Sequence, residues 1–362
     1  MNNNSQNIVN PWLSIIIPIY NAEKYLEDCF KSIIRQDFNN YEVLMIDDGS
    51  IDDSADICKR YEKEDSHFKY FYFENGGVYS ARIHGLDIMR GSYFTFCDAD
   101  DYYYNNHTFS TVFDFITYYK VDFIEFGFIK KYNHLYKKIR SSDKLLLINK
   151  EDFLMNEYPQ LLCSKWTNSH IDNLAWNKVY SRNLKNNIVL KNKRLFWGDD
   201  QILNLQLLEN CNSCLIIPDV LYCYRQGSGY TNKFSKNALV DLNIIKEWQI
   251  HFIDKYKYDN KDLIYSNLFG EISGWTFEYM KNALEELNED EVINIIDSAL
   301  KLPSFELAKN YYLTTNFENW DGVNLIRSSD INKYILVAKE ITKKEKKLKY
   351  LKKLIKRIVL SI

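Results

Sequence analysis

The chain has 362 residues and a mass of 43.2 kDa, enough for one large domain or two modest ones. Its 46% hydrophobic and 26% charged residues exclude a wholly disordered chain, and 12 Gly and 5 Pro exclude collagen-like or linker-dominated architectures. A net charge of −3 argues against a nucleic-acid partner recruited by the charge of the whole chain.

Residues 1–11 (MNNNSQNIVNP) lack the basic and apolar stretches of a secretory signal and predict a disordered N-terminus. Residues 12–20 (WLSIIIPIY) form an almost continuous apolar run ended by Asn21. Residues 41–46 (YEVLMI) repeat the pattern and end in Asp47-Asp48-Gly49-Ser50; 68–73 (FKYFYF) and 92–97 (SYFTFC) follow. Runs apolar on both faces predict strands buried in a parallel sheet. Between the first two, residues 22–37 set Tyr25, Leu26, Cys29, Phe30, Ile33 and Ile34 at helical spacing, and 52–64 and 78–90 also read as helices. The resulting β-α-β-α-β-α-β order predicts an α/β fold: a doubly wound, mostly parallel sheet with helices on both faces.

Residues 102–150 predict a helix and one or two mixed strands. Residues 170–225 predict a turn-rich loop, a helix at 199–210 and the strand LIIPDVLYCYR; 236–300 read as amphipathic helices. The tail stands apart. Residues 343–357 carry nine basic side chains and one acidic, a local +8 that leaves the other residues near −11. Leu348, Leu351, Leu354 or Ile355, Ile358 and Ile362 recur at three- and four-residue steps, the pattern of a helix lying on an anionic membrane surface. A solvated helix end docked on the body is the alternative. Seven scattered cysteines suggest no disulfide framework and a reducing compartment, and Cys211-x-x-Cys214 reads as structural. No apolar run reaches the roughly 18 residues of a spanning helix. The expected location is therefore cytoplasmic, at the inner face of the membrane.

In an open parallel sheet, ligands bind beyond the C-terminal ends of the strands. There the sequence supplies Pro18, Tyr20 and Asn21, then Asp47, Asp48 and Gly49, then Asp98, Ala99, Asp100 and Asp101. Carboxylates converging from two strands repel unless a cation or hydrogen-bond donors sit between them. Hard oxygen ligands suit Mg²⁺ or Mn²⁺, held by one or two carboxylates and by phosphate oxygens. The residues thus point to a metal–diphosphate site. Asp47–Ser50 alone reads equally well as a turn.

The stretches SIIIPIYNAEKYLEDCFKSIIRQDFNNYEVLMIDDGSIDDS and ENGGVYSARIHGLDIMRGSYFTFCDADD resemble the nucleotide-sugar half of a family 2 glycosyltransferase of GT-A fold, inverting and of the bacterial polysaccharide-assembly type. The resemblance is close over residues 12–115 and looser over 170–230. It implies a GT-A domain over 12–230 (12–115 for the donor, 116–230 for the acceptor), a helical region over 231–340 and the basic tail over 341–362. By position, Pro18, Tyr20 and Asn21 would line the base pocket, Asp48 would accept from uracil, Asp98 and Ala99 would lie near the ribose, and Asp100 with Asp98 would hold the metal. Arg82 would either contact the nucleotide or pair with Asp47 or Asp98. The family's Asn shortly after this Arg is replaced by Ile83-His84.

FWGDDQILNLQLL resembles the segment where the family places its general base; Asp200 would be the base, and Asp199 stands where Glu is usual. N-capping of the helix by Asp199 is compatible with that role. Trp176 and Lys178 would face sugar and diphosphate, or be core and surface residues. Arg225 and Ser228 would cover the diphosphate. His107 reads as a surface residue. The implied activity is metal-dependent transfer of one sugar from a nucleotide-sugar, UDP-linked, to a saccharide or lipid-linked saccharide, in capsule, exopolysaccharide or lipopolysaccharide synthesis. The alternatives are a nucleotidyltransferase on the same fold, or an inactive nucleotide-sugar-binding module.

Overall fold

The four apolar runs become strands β1 (Leu13–Ile19), β2 (Tyr41–Asp47), β3 (Phe68–Tyr72) and β4 (Tyr93–Phe96). Helices α1 (Leu26–Ile34), α2 (Ser54–Glu64) and α3 (Val78–Ile88) join them. These elements belong to a computed structural model that describes residues 10–132, 135–163, 170–190, 194–195, 198–227, 234–256, 258–315 and 317–359. Residues 1–9 of the expected disordered N-terminus, and Ser228, lie outside the described residues. Every residue of β1 and β2 is buried, which explains why their sequences do not alternate. α3 crosses β1 so closely that a Cβ on Gly85 would collide with Ile16 Cγ2.

Residues 102–150 hold more strands than the one or two expected. The short β5 (Tyr102–Tyr103), helix α4 (Thr108–Tyr119), β6 (Phe123–Tyr132), β7 (Leu135–Ile139) and β8 (Leu146–Asn149) all fall there. β9 (Lys178–Ser181) and β10 (Ser213–Arg225) complete a ten-stranded sheet ordered β3-β2-β1-β4-β9-β6-β10-β5, with β7 on β6 and β8 on β10. β3, β2, β1 and β4 run parallel; β9 is antiparallel to both β4 and β6, and β10 is parallel to β6. β1, β2, β4, β6 and β10 therefore all end on one edge. The acidic loops lie there, as does the hairpin that joins β6 to β7. All seven cysteines are buried and free, including Cys211 and Cys214.

The chain divides into two compact units, residues 1–231 and 232–362. The second is built from helices Ala238–Lys255, Lys261–Glu286, Glu289–Leu300, Pro303–Thr314, Asp321–Ser328 and Ile331–Val359. Asn288 and Glu291 form a capping box at the start of one of them. The expected separate tail is continuous with the last helix. Its beginning is tied down within this unit, where Glu345 pairs with Lys281 at 2.9 Å and Lys346 with Glu285 at 2.8 Å. The side chains of Leu351, Leu354, Ile355 and Ile358, and residue Ile362, lie outside the described residues. Among the described residues no helix is long and apolar enough to cross a membrane.

Candidate active site

β2 ends in two aspartates with different tasks. Asp47 fixes the turn, accepting the Ser50 N–H at 2.8 Å and the Tyr70 hydroxyl at 2.7 Å. Asp48 reaches the loop before α3 and accepts the N–H groups of Gly76 at 2.7 Å and Gly77 at 2.8 Å. The close approach requires glycine: Gly77 has φ of +87°, and a Cβ on Gly76 would meet Ser80 Oγ at 2.7 Å. Burial pushes the Asp48 carboxyl up, opposed by the two glycine amides, Arg194 and His84. Each oxygen of Asp48 thus accepts one N–H from its own chain, which orients the carboxylate and leaves a lone pair on each oxygen for a further donor. Pro18 is buried within β1, and Tyr20 is half-buried beyond its end. Asn21, at φ 49°, accepts the Ile51 N–H at 2.9 Å and locks the first loop to the second.

β4 delivers the third acidic group. The Asp98 N–H donates to the Tyr222 hydroxyl at 3.0 Å, and Ala99 is buried. Asp101 points inward, with one oxygen accepting the Arg225 N–H at 2.6 Å and the other buried without a hydrogen-bond partner. Burial, then the charges of Asp100 and Asp98, push the Asp101 carboxyl well up. The Asp100 side chain is half-buried and has no hydrogen-bond or ion-pair partner among the described residues. No cage of three or more His, Cys, Asp or Glu side chains occurs among those residues. Asp100 is the carboxylate of this loop left open to a divalent ion of the kind that takes one or two carboxylates and completes its shell with phosphate oxygens and water, while Asp98 is shared with Arg82.

Arg82 joins this edge to the second half of the chain. From the buried face of α3 its guanidinium reaches Asp98 at 2.8 Å, Asp200 at 2.6 Å and Asp199. Asp98 was an expected partner; Asp47 is not one, and the two later aspartates were not anticipated. Burial alone would weaken the Arg82 cation, but Asp200, Asp98 and Asp199 outweigh it and hold the charge. Asp199 and Asp200 open the helix Asp199–Leu208. Its N-cap is Gly198, at φ 72°, with no side-chain cap, so Asp199 does not cap the helix as expected and gives its carboxylate to Arg82. The Asp200 side chain is 25% exposed, open enough to meet a ligand. Burial pushes its carboxyl up to about 7; Arg82 opposes this, Asp199 and Asp98 add to it, and the Ala175 N–H opposes it by donating to the carboxylate. A carboxylate that exchanges its proton near neutrality suits a general base.

Trp176 and Lys178 do not face this edge. Trp176 is 2% exposed, stacked on Tyr222 and Tyr224 and edge-on to Phe128. Lys178 is wholly enclosed: Nζ donates to the carbonyls of Asp172 at 3.0 Å and Leu174 at 2.7 Å and to Asn177 Oδ1 at 2.9 Å, and pairs with Asp172 at 3.1 Å and Glu125 at 3.1 Å. Asp172 and Glu125 keep Lys178 charged against burial, while burial pushes Glu125 up to about 8. Trp176 thus takes the core place that was one of its two expected ones, while Lys178 is buried, neither at the diphosphate nor at the surface. Sequence reading missed this buried cluster, although Glu125 inside the apolar run VDFIEFGFI was a signal. Lys178 fixes the 172–177 loop, which carries the Ala175 N–H. Asn204, one turn along from Asp200, donates to the Asn173 carbonyl at 2.9 Å and ties the same loop to the helix. Arg225 pairs with Asp28 at 2.7 Å and lies over the rings of Tyr25 and Tyr102. His107 is a surface residue, with Nδ1 2.6 Å from Asp37.

A parallel four-stranded half with acidic loops at its C-terminal edge, joined through a mixed half to a helix that opens with two aspartates, is the GT-A architecture. The solved structure of S. aureus TarS residues 1–349 with UDP-GlcNAc shares this fold, with a TM-score of 0.65 and 20% identity over 91% of each chain. Residues 14–182 match the family model described as Glycosyl transferase family 2. It is 29% identical over 252 residues to Glycosyltransferase GlyA of Streptococcus pneumoniae serotype 4, a match covering 65% of this chain and 34% of GlyA. It is 26% identical over 254 residues to the Uncharacterized glycosyltransferase EpsJ of Bacillus subtilis, covering 68% of this chain and 71% of EpsJ. The chain thus spans about a third of GlyA.

Proposed function

We propose that this chain is a glycosyltransferase that moves one sugar from a UDP-sugar to a saccharide or lipid-linked saccharide acceptor, with inversion, in the assembly of a bacterial surface polysaccharide. The observation that carries the reading is the Arg82 junction, which joins Asp98 to Asp199 and Asp200, about a hundred residues later in the chain. It sets a donor-side carboxylate and a partly exposed base within one guanidinium's reach. The choice of UDP is supported by the binding of UDP-GlcNAc and of UDP by TarS, the shared fold being the link.

The reaction is a single displacement. An acceptor hydroxyl attacks the anomeric carbon from the face opposite the nucleotide, the bond from that carbon to the diphosphate oxygen breaks, and the hydroxyl proton passes to Asp200. Arg82 opposes protonation of Asp200 and orients it between turnovers. Asp100 and Asp98 would hold a Mn²⁺ or Mg²⁺ ion, whose contribution is to neutralise charge gathering on the leaving diphosphate. The Gly76–Gly77 amides hold Asp48, and the Asn21 contact holds the adjoining loop, so the rim is set before the nucleotide arrives. The basic last helix would bring the enzyme to an anionic membrane surface.

Thermal shift tests the donor reading: UDP with Mn²⁺ should stabilise the protein where NAD⁺ and nucleoside triphosphates do not. Asp100→Asn should abolish the manganese-dependent part. Asp200→Asn should keep the UDP response and lose transfer; retained transfer would remove Asp200 from the role of base.

A further inference from the structure

We propose that the β6–β7 hairpin is a docking surface for a phosphate-bearing stretch of the saccharide acceptor, an inference that rests on the transferase reading above. Residues 130–140 (KKYNHLYKKIR) hold five basic residues and no acidic one, in a chain of net charge −3. The hairpin rises from the edge of the sheet at which β1, β2 and β4 end, beside the acidic loops.

The strand register sharpens the charge argument. It sets Lys130 directly opposite Lys137, on one face of an antiparallel pair. Like charges in that arrangement repel, and a cross-strand neighbour of opposite charge is the usual relief. Neither lysine, nor Lys131 or Lys138, has an ion-pair partner among the described residues. Lysines on an edge strand guard against edge-to-edge association, which would account for Lys137 and Lys138 on β7. It does not account for Lys130 and Lys131, because β6 is flanked by β10 and β7. A phosphate diester meeting Lys130 and Lys137 would relieve the repulsion.

The other face leads back to the reaction edge. Lys131 Nζ is 3.4 Å from the Tyr102 hydroxyl and lies 5.4 Å from the Tyr102 ring centroid and 5.7 Å from that of Tyr136. Arg225 lies 5.0 Å from the Tyr102 ring centroid, and its N–H holds Asp101. Tyr rings interleaved with cations suit a chain of alternating sugar or polyol and phosphate, with faces for stacking and charges for pairing. Docked there, the acceptor's terminus would lie next to Asp100 and Asp101. Continuity with the acidic rim favours the acceptor over a lipid surface as occupant.

The test compares the full-length protein with its Lys130→Gln/Lys137→Gln variant, using a glycerol phosphate oligomer as probe and uncharged dextran and phosphatidylglycerol vesicles as controls. The wild type should bind the oligomer, and more weakly as salt rises. The variant should bind at least about tenfold more weakly, and Lys130→Arg/Lys137→Arg should restore binding. Equal binding by wild type and variant, no binding by either, or loss of vesicle binding in the variant with no effect on the oligomer would overturn the proposal. The UDP–Mn²⁺ thermal shift, read in parallel, should be the same in wild type and variant. Its absence from the wild type would count against the donor reading, while the oligomer comparison would still decide the hairpin.

Discussion

Replacing Arg82 with Gln removes the cation set among Asp98, Asp199 and Asp200. The Arg82 side chain is 3% exposed and the three carboxylates are 21–25% exposed, so water screens the loss only partly. Stripping a buried charge cluster of its partner costs on the order of 3–5 kcal/mol, and the partial exposure favours about 3. In a unit of this size that is a fall in Tm of roughly 6–12 °C. The chemical consequence is more specific. Asp200 stands near 7 with Arg82 opposing the rise. An opposite charge at this range lowers a carboxyl by about 1–3 units, so its removal should carry Asp200 to about 8–10. A base works ionised, so activity should rise with pH, with its acid limb near 7 in the wild type and at about 8–10 in the variant. The assay is UDP-sugar hydrolysis, in which water replaces the acceptor, followed across pH for wild type, Arg82→Gln and Arg82→Lys. The Lys variant keeps the charge and should shift the limb least. A limb that stays in place in Arg82→Gln, or moves to lower pH, would refute the electrostatic coupling of Arg82 to the base.

Two further substitutions probe the surrounding frame. Lys178→Met should cost about 1–3 kcal/mol by leaving the buried acceptors of Asp172, Leu174, Asn177 and Glu125 without their donor, and the double variant Lys178→Met/Glu125→Gln should recover part of that in chemical denaturation. Gly77→Ala forces a side chain into a glycine-only backbone region at φ +87° and disturbs an amide that holds Asp48. It should cost about 1–3 kcal/mol and weaken the UDP-induced thermal shift, with the far-UV circular dichroism unchanged.

Much of the donor half could be read directly from the chain. Unbroken apolar runs such as SIIIPI and YEVLMI can satisfy their surroundings only inside a sheet covered on both faces, and each is a strand within a residue or two of its apolar limits. The acidic residues that follow were legible because a parallel sheet must present its strand ends to one side. Order and spacing then carried the family resemblance. Residues 102–150 were less legible: β5, β7 and β8 are short, and pairings such as β8 with β10 depend on a partner more than sixty residues away.

Sequence alone determined which segments would be buried strands, where the carboxylates would gather, and that a lysine-rich stretch would end in a helix. Tertiary structure decided the partners. Arg82 finds Asp199 and Asp200 because β9 slots antiparallel between β4 and β6 and brings the second half of the chain over α3. The same insertion encloses Lys178 with Glu125 and stacks Trp176 against Tyr222 and Tyr224, two residues whose types alone fitted the surface as well as the core. Hydrophobic patterning is local and repeats along the chain. The environment of a single charged side chain is set by which distant backbone comes to cover it.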